Sequence, residues 1–160
     1  MTLCMLDLGF RGSEVINLRL SDIDWQGRWL YVRATKTGQG RQSPIPNRVF
    51  AALRDYIENA RPALMSFDNV FIRHPRRAGY PLSRCALKAM VSAAYRRCHF
   101  PKSWSGTHRL RHTFASRLYE RGAEMKPLAD LLGHRRLNST NDYTQVDPKA
   151  MRSLAQPWPV

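Results

Sequence analysis

Residues 107–112 read Thr-His-Arg-Leu-Arg-His. On a helix, His108 and Arg111 stand three apart and share a face, and His112 stands four from His108. The His pair has the spacing of a zinc-binding helix. The zinc protease pattern, however, needs Glu after the first His, and here Arg109 stands there. A cation beside a metal also opposes its binding, so no metal is expected. A His–Arg face suits a phosphate instead, because a guanidinium holds two anionic oxygens through parallel hydrogen bonds. Alone, the pair is equally a solvated basic helix face.

Arg11 stands between an apolar helix end and an apolar helix start, in Leu-Gly-Phe-Arg-Gly-Ser-Glu. Gly9 and Gly12 flank it, so backbone there can approach a ligand closely. Glu14 is placed to brace it. The bland alternative is a surface arginine paired with Glu14. The sharper one is a second arginine aimed at the phosphate of Arg111. Lys36 lies in Thr-Lys-Thr-Gly, a hairpin loop. A loop lysine is most often only solvated, but a mobile one can deliver a proton to a leaving oxygen. Tyr143 is a poor nucleophile in water, since only about a thousandth of a free phenol is ionised at neutral pH. It needs cations nearby, and His134, just past Gly133, can donate a hydrogen bond to the same phosphate. A lone tyrosine there would otherwise be a packing residue.

These side chains need elements to hold them. The first ten residues, Met-Thr-Leu-Cys-Met-Leu-Asp-Leu-Gly-Phe, are apolar at helical spacing and read as the end of a buried helix. A second helix begins near Gly12 or Ser13, with Val15, Ile16 and Leu18 turned inward. Leu30 and Val32 alternate with Trp29, Tyr31 and Arg33 after a Gln26-Gly27 turn. Residues 43–46 return as an edge strand, since Pro44 and Pro46 cannot donate to a central ladder. Residues 22–46 therefore form a small antiparallel sheet. Asn47 is expected to cap a helix to about Ala60, and 69–73 is a short extended piece. Ser83 caps a helix to Cys98 with Leu87, Met90, Val91 and Ala94 inward. Another helix runs from Thr107 to Gly122, and a short one covers 125–134.

Composition limits the class of partner. The chain has 160 residues, enough for one self-sufficient domain. It carries 26 Lys and Arg against 12 Asp and Glu, a formal charge of +14. Such a field concentrates polyanions, nucleic acid first and anionic membrane second. Three cysteines without a C-x-x-C pair fit free thiols in a reducing compartment. No apolar run reaches membrane-spanning length and no signal peptide is evident, so a cytoplasmic protein is expected.

Four stretches together resemble the tyrosine recombinases, the phage integrase family: LGFRGSEVINLRLSDID, TKTGQGRQSPIP, THRLRHTFASRL and LADLLGHRRLNSTNDYTQV. They lie in family order and span about Leu3 to Val146. The H-x-x-R pair, then L-L-G-H, then a tyrosine nine residues beyond that histidine is the most specific part. The resemblance implies an α+β, predominantly α-helical catalytic domain with a small antiparallel three-stranded sheet. It implies that residues 1–146 form that domain and 147–160 a C-terminal tail. It implies the catalytic set Arg11, Lys36, His108, Arg111, His134 and Tyr143, with Glu14 and His112 supporting it.

The implied activity is site-specific cleavage and rejoining of double-stranded DNA through a 3′-phosphotyrosine link, with no cofactor and no metal. The helix at 83–98 would enter the major groove, with Arg84 and Lys88 near its start, and Arg41 and Arg109 would be further phosphate contacts. A bacterial or mobile-element origin, nucleoid association and self-association on DNA through the tail are implied too. The chain departs from the family in one respect. Arg11 stands almost at its start, so the first helices and the N-terminal DNA-binding domain are expected to be absent. Two alternatives follow: a non-catalytic DNA-binding remnant, or a DNA-relaxing enzyme like the type IB topoisomerases.

Overall fold

The structure is a computed structural model, and it describes residues 1–34, 40–62, 67–74, 80–101, 103, 104, 106–123 and 132. Helix α1, Thr2–Leu6, buries Cys4, Met5 and Leu6 and packs on α5 and α2. The chain then turns at Gly9, whose φ of +65° lies in the left-handed region. A side chain there would meet the Phe114 ring and Leu132. That turn drops Phe10 fully into the core and leads into α2, Gly12–Asn17. Glu14 reaches back to accept a hydrogen bond from the Arg11 backbone N–H at 2.7 Å, satisfying a donor that the helix start would otherwise leave open.

A 3₁₀ turn, Leu20–Asp22, leads into the sheet. Strands β1 (Ile23–Asp24), β2 (Trp29–Val32) and β3 (Arg41–Pro44) lie in that order and pair antiparallel. In β2–β3, Leu30 faces Ser43 and Val32 faces Arg41. Leu30, Val32 and Ser43 are buried while Trp29 and Tyr31 are exposed, as two-residue alternation requires. The proline-bearing strand is at the edge, where a missing N–H costs nothing. Arg33, just beyond β2, donates to Asp22 Oδ1 at 2.7 Å and ties the strand end to the 3₁₀ turn.

Helix α3, Asn47–Asp55, continues as a wider turn, Tyr56–Ala60, so the chain leaves the helix where expected. Its cap differs from expectation. Pro46 occupies the cap position, and the Asn47 side chain instead accepts from Arg28 Nη1 at 2.7 Å. Residues around 69 and 72 form two isolated bridges, Arg19 with Asn69 and Ile72 with Pro81.

Helix α4, Arg84–Arg97, is capped by Ser83, whose Oγ accepts from the Ala86 N–H at 3.2 Å. Its buried face is Leu87, Val91 and Tyr95. Met90, expected inward, is 46% exposed. Residues four apart drift by about 40° around a helix, which carries the stripe toward Tyr95 and leaves Met90 about 100° from Val91. Helix α5, His108–Glu120, buries Leu110, Arg111 and Ala115. Thr107 precedes it as expected but makes no side-chain cap. Gly122, at φ +85°, ends it, and the Ala123 N–H reaches back to the Leu118 carbonyl at 3.0 Å. The helix expected over 125–134, apart from Leu132, and the tail from 147 lie outside the described residues.

One core unites α1–α4, the sheet, Val70, Phe71 and Leu110. Ala115 and Leu132 form a smaller cluster with Phe114 and Leu118 beside it.

Candidate active site

Glu14 is the centre of the site. Its side chain is only 2% exposed, and three arginines reach it from three elements. Arg11, at the start of α2, donates Nη1 to Oε1 at 3.0 Å. Arg41, on β3, donates Nη1 to Oε1 and Nη2 to Oε2, both at 2.9 Å. Arg111, on α5, brings Nη1 to 3.9 Å from Oε2. Burial by itself pushes the Glu14 carboxyl up. The hydrogen bonds and charge of Arg41, the Arg11 N–H and the charge of Arg111 outweigh this and hold it below its ordinary value. Glu14 is therefore an anion. Three cations around one anion leave a formal excess of two positive charges in a largely desolvated place, and that excess favours a further anion.

Arg111 is fixed by backbone. Its Nη1 donates to the Gly9 carbonyl and its Nη2 to the Leu132 carbonyl, each at 2.6 Å. Its side chain is 5% exposed, against 23% for that of Arg11. Arg11 is thus the more open of the two, and it lines an open cavity of about 580 Å³. Arg84, Lys88, Thr107 and His108 line the same cavity. Each ionisable side chain on that lining is basic, which suits an anionic ligand. His108 enters it from the first residue of α5, where the helix dipole adds positive potential. The structure therefore brings Arg11, Arg84, Lys88 and His108, all expected from sequence, to one surface. Arg111 and Glu14 are not on that lining; Glu14 connects to it by accepting from Arg11.

The remaining residues separate into three groups. Arg109 lies over the Trp104 ring at 4.7 Å, and Trp104 stacks on Phe100 at 4.7 Å. His112 is exposed one helical turn beyond His108. Lys36, His134 and Tyr143 lie outside the described residues. Arg41, a further expected phosphate contact, has a side chain 9% exposed and both terminal nitrogens bonded to Glu14. The pattern that signals this is two-residue alternation. Arg41 is the cross-strand partner of buried Val32, and cross-strand partners share a face. Among the described residues, no group of three or more His, Cys, Asp or Glu side chains is placed to hold a metal ion. Among them, too, no helix is long and apolar enough to cross a membrane.

Comparison with known proteins agrees with this arrangement. The model of the phage integrase family matches residues 1–150. A putative integrase/recombinase of Sinorhizobium fredii is 36% identical over 159 residues, covering 99% of this chain and 38% of that protein. The tyrosine recombinase XerD of Halalkalibacterium halodurans is 35% identical over 150 residues, covering 91% of this chain and 48% of the relative. The chain thus spans less than half the length of either. Among solved structures, the XerA recombinase superimposes with a TM-score of 0.79 at 23% identity, covering 96% of this chain and 56% of that one. The XerH site-specific recombinase, bound to a palindromic difH substrate in a post-cleavage complex, gives 0.77 at 21% identity, covering 98% and 44%. At these identities the structural likeness establishes the fold, a recombinase-type arrangement of helices around a small antiparallel sheet. On the extent of the family match, this chain belongs to the phage integrase family.

Proposed function

We propose that this chain is the catalytic part of a site-specific DNA recombinase that cleaves and rejoins DNA through a 3′-phosphotyrosine intermediate. The observation that carries the proposal is the cationic cavity. Arg11 and His108 line it, and Glu14, which holds Arg11, also lies 3.9 Å from buried Arg111. Family membership supports it, as does the difH substrate bound by XerH.

In this mechanism the Tyr143 hydroxyl loses its proton to solvent and its oxygen attacks a DNA phosphorus. A bond forms between tyrosine and the 3′-phosphate, and the bond to the 5′-oxygen breaks. Lys36 gives that oxygen its proton, so the strand leaves as a 5′-hydroxyl. Arg11 and Arg111 meet the non-bridging oxygens and stabilise the charge that grows on them in the transition state. His108 and His134 donate to the same group. The phosphotyrosyl bond conserves the energy of the diester, so a 5′-hydroxyl from another strand can reverse the step without ATP. The arginines and the lysine supply the positive charge that a metal supplies in other phosphoryl-transfer sites.

Residues 1–146 form this catalytic unit, and 147–160 is a tail that docks on a neighbouring protomer. Double-stranded DNA runs across the cavity mouth, with α4 in the major groove and Arg84, Lys88 and Arg109 on its flanks. A cytoplasmic, nucleoid-associated protein follows. A second reading is a DNA-binding unit without catalysis.

The test uses a pool of nicked suicide duplexes with randomised flanks. A slowly migrating covalent complex that survives denaturant and disappears in Tyr143→Phe supports cleavage. Binding without any covalent complex favours the second reading. Relaxation of plasmids without site preference favours a type IB-like enzyme instead.

A further inference from the structure

Arg41, like Arg111, is not on the cavity lining. It lies on β3, directly across from Val32 at the end of β2. In sequence the segment that joins these strands contains Lys36. Its guanidinium lies over the Phe10 ring at 5.3 Å and closes a two-bond fork on Glu14. Glu14 in turn holds the Arg11 guanidinium and lies beside that of Arg111.

From this geometry we infer that Arg41 is a positioning residue. It links the β2–β3 hairpin to Arg11 and Arg111 through the Glu14 carboxylate, and it makes no contact with DNA itself. This deepens the function proposed above and rests on it for the identity of the reaction. The physical reason is directional. A carboxylate held by a planar fork cannot rotate, so its remaining lone pairs point in fixed directions. Those directions set where the Arg11 guanidinium lies. The fork also fixes the root of the hairpin against α2, so the strands flanking Lys36 are anchored to the carboxylate that orders Arg11. Lysine at 41 keeps the charge but offers no planar fork, so Arg41→Lys removes the linkage without removing a cation. A misplacement of about 1 Å at a reacting centre costs on the order of 100-fold in rate.

Two experiments on the whole chain test this, and the first does not depend on cleavage. Affinity for a mixed-sequence duplex is measured across a salt series. A phosphate contact contributes about 0.9 to the slope of log affinity against log salt. Lys88→Ala should lower the slope by about that much, and Arg41→Ala should leave it unchanged. A fall of about 0.9 in Arg41→Ala overturns the inference. The second is a double-mutant cycle with Glu14→Gln. On a duplex recovered from the suicide pool, Arg41→Ala and Arg41→Lys should each slow single-turnover cleavage on the order of 100-fold. In the Glu14→Gln background Arg41→Ala should cost less than about twofold more. Independent, multiplying losses overturn the inference. A wild-type chain that never cleaves refutes the catalytic reading instead. The cycle is then run on the melting temperature, where strictly additive losses for Arg41→Ala and Glu14→Gln again overturn it.

Discussion

Gly9→Ala tests the link between backbone geometry and the site. Gly9 holds φ at +65°, its carbonyl accepts from Arg111 Nη1 at 2.6 Å, and a Cβ there would crowd the Phe114 ring and lie 2.9 Å from Leu132 Cδ2. Two costs follow. A side chain in the left-handed region costs roughly 1–2 kcal/mol. Forcing an extra methyl into packed space costs roughly 1–3 kcal/mol. Together they amount to about 2–5 kcal/mol. In a domain of this size each kcal/mol lowers the melting temperature by about 2–4 °C, so a drop of roughly 4–20 °C is expected by circular dichroism. Gly122→Ala is the control. Its φ is +85°, but nothing lies within 4 Å of the added Cβ, so only the conformational cost applies and the drop should be roughly 2–8 °C. In a Phe114→Ala background, Gly9→Ala should become milder, because the ring that it meets is gone. Equal losses for the two glycines, or no relief from Phe114→Ala, would refute the crowding argument.

Three further outcomes are expected. Glu14 is held below its ordinary value of 4.5. Its contribution to stability is thus complete above that pH and is lost as pH falls toward the lower folded value. Urea unfolding across an acid series should show the gap between wild type and Glu14→Gln closing below about pH 4.5, and a gap that widens in acid contradicts the account. Ser83→Ala should cost about 1 kcal/mol, or roughly 2–4 °C, because the Ala86 N–H loses its cap; an unchanged melting temperature contradicts this. Cys4 is buried, and burial pushes its thiol up, while Cys85 is exposed. An alkylating reagent should therefore label Cys85 in the native protein and Cys4 only after unfolding, which peptide mapping would check.

Local rules made much of the fold readable. Alternation at 29–32 located the sheet, the prolines placed β3 at its edge, and Ser83 marked the start of α4. The misses share a cause. Asn47 has the right type for a cap, but a tertiary partner, Arg28, takes its side chain. Met90, expected inward, is exposed and Tyr95 is buried, because the inward stripe depends on which neighbours α4 meets. In the site, two of the residues singled out by local sequence, His108 of the H-x-x-R pair and Arg11 between its glycines, lie on one cavity lining. The convergence of Arg41 on Glu14, 27 residues apart, has no local signature. Only the strand pairing that turns Arg41 to the same face as Val32 brings them together.

The central claim is a covalent bond between Tyr143 and a DNA 3′-phosphate. The most direct measurement is mass spectrometry of the peptide containing Tyr143 after trapping on a suicide duplex and nuclease digestion. A nucleotide joined through its 3′-phosphate to that tyrosine, with a free 5′-hydroxyl on the released strand, is the predicted result. Attachment at another residue, or a 5′-phosphate on the released strand, would contradict the mechanism.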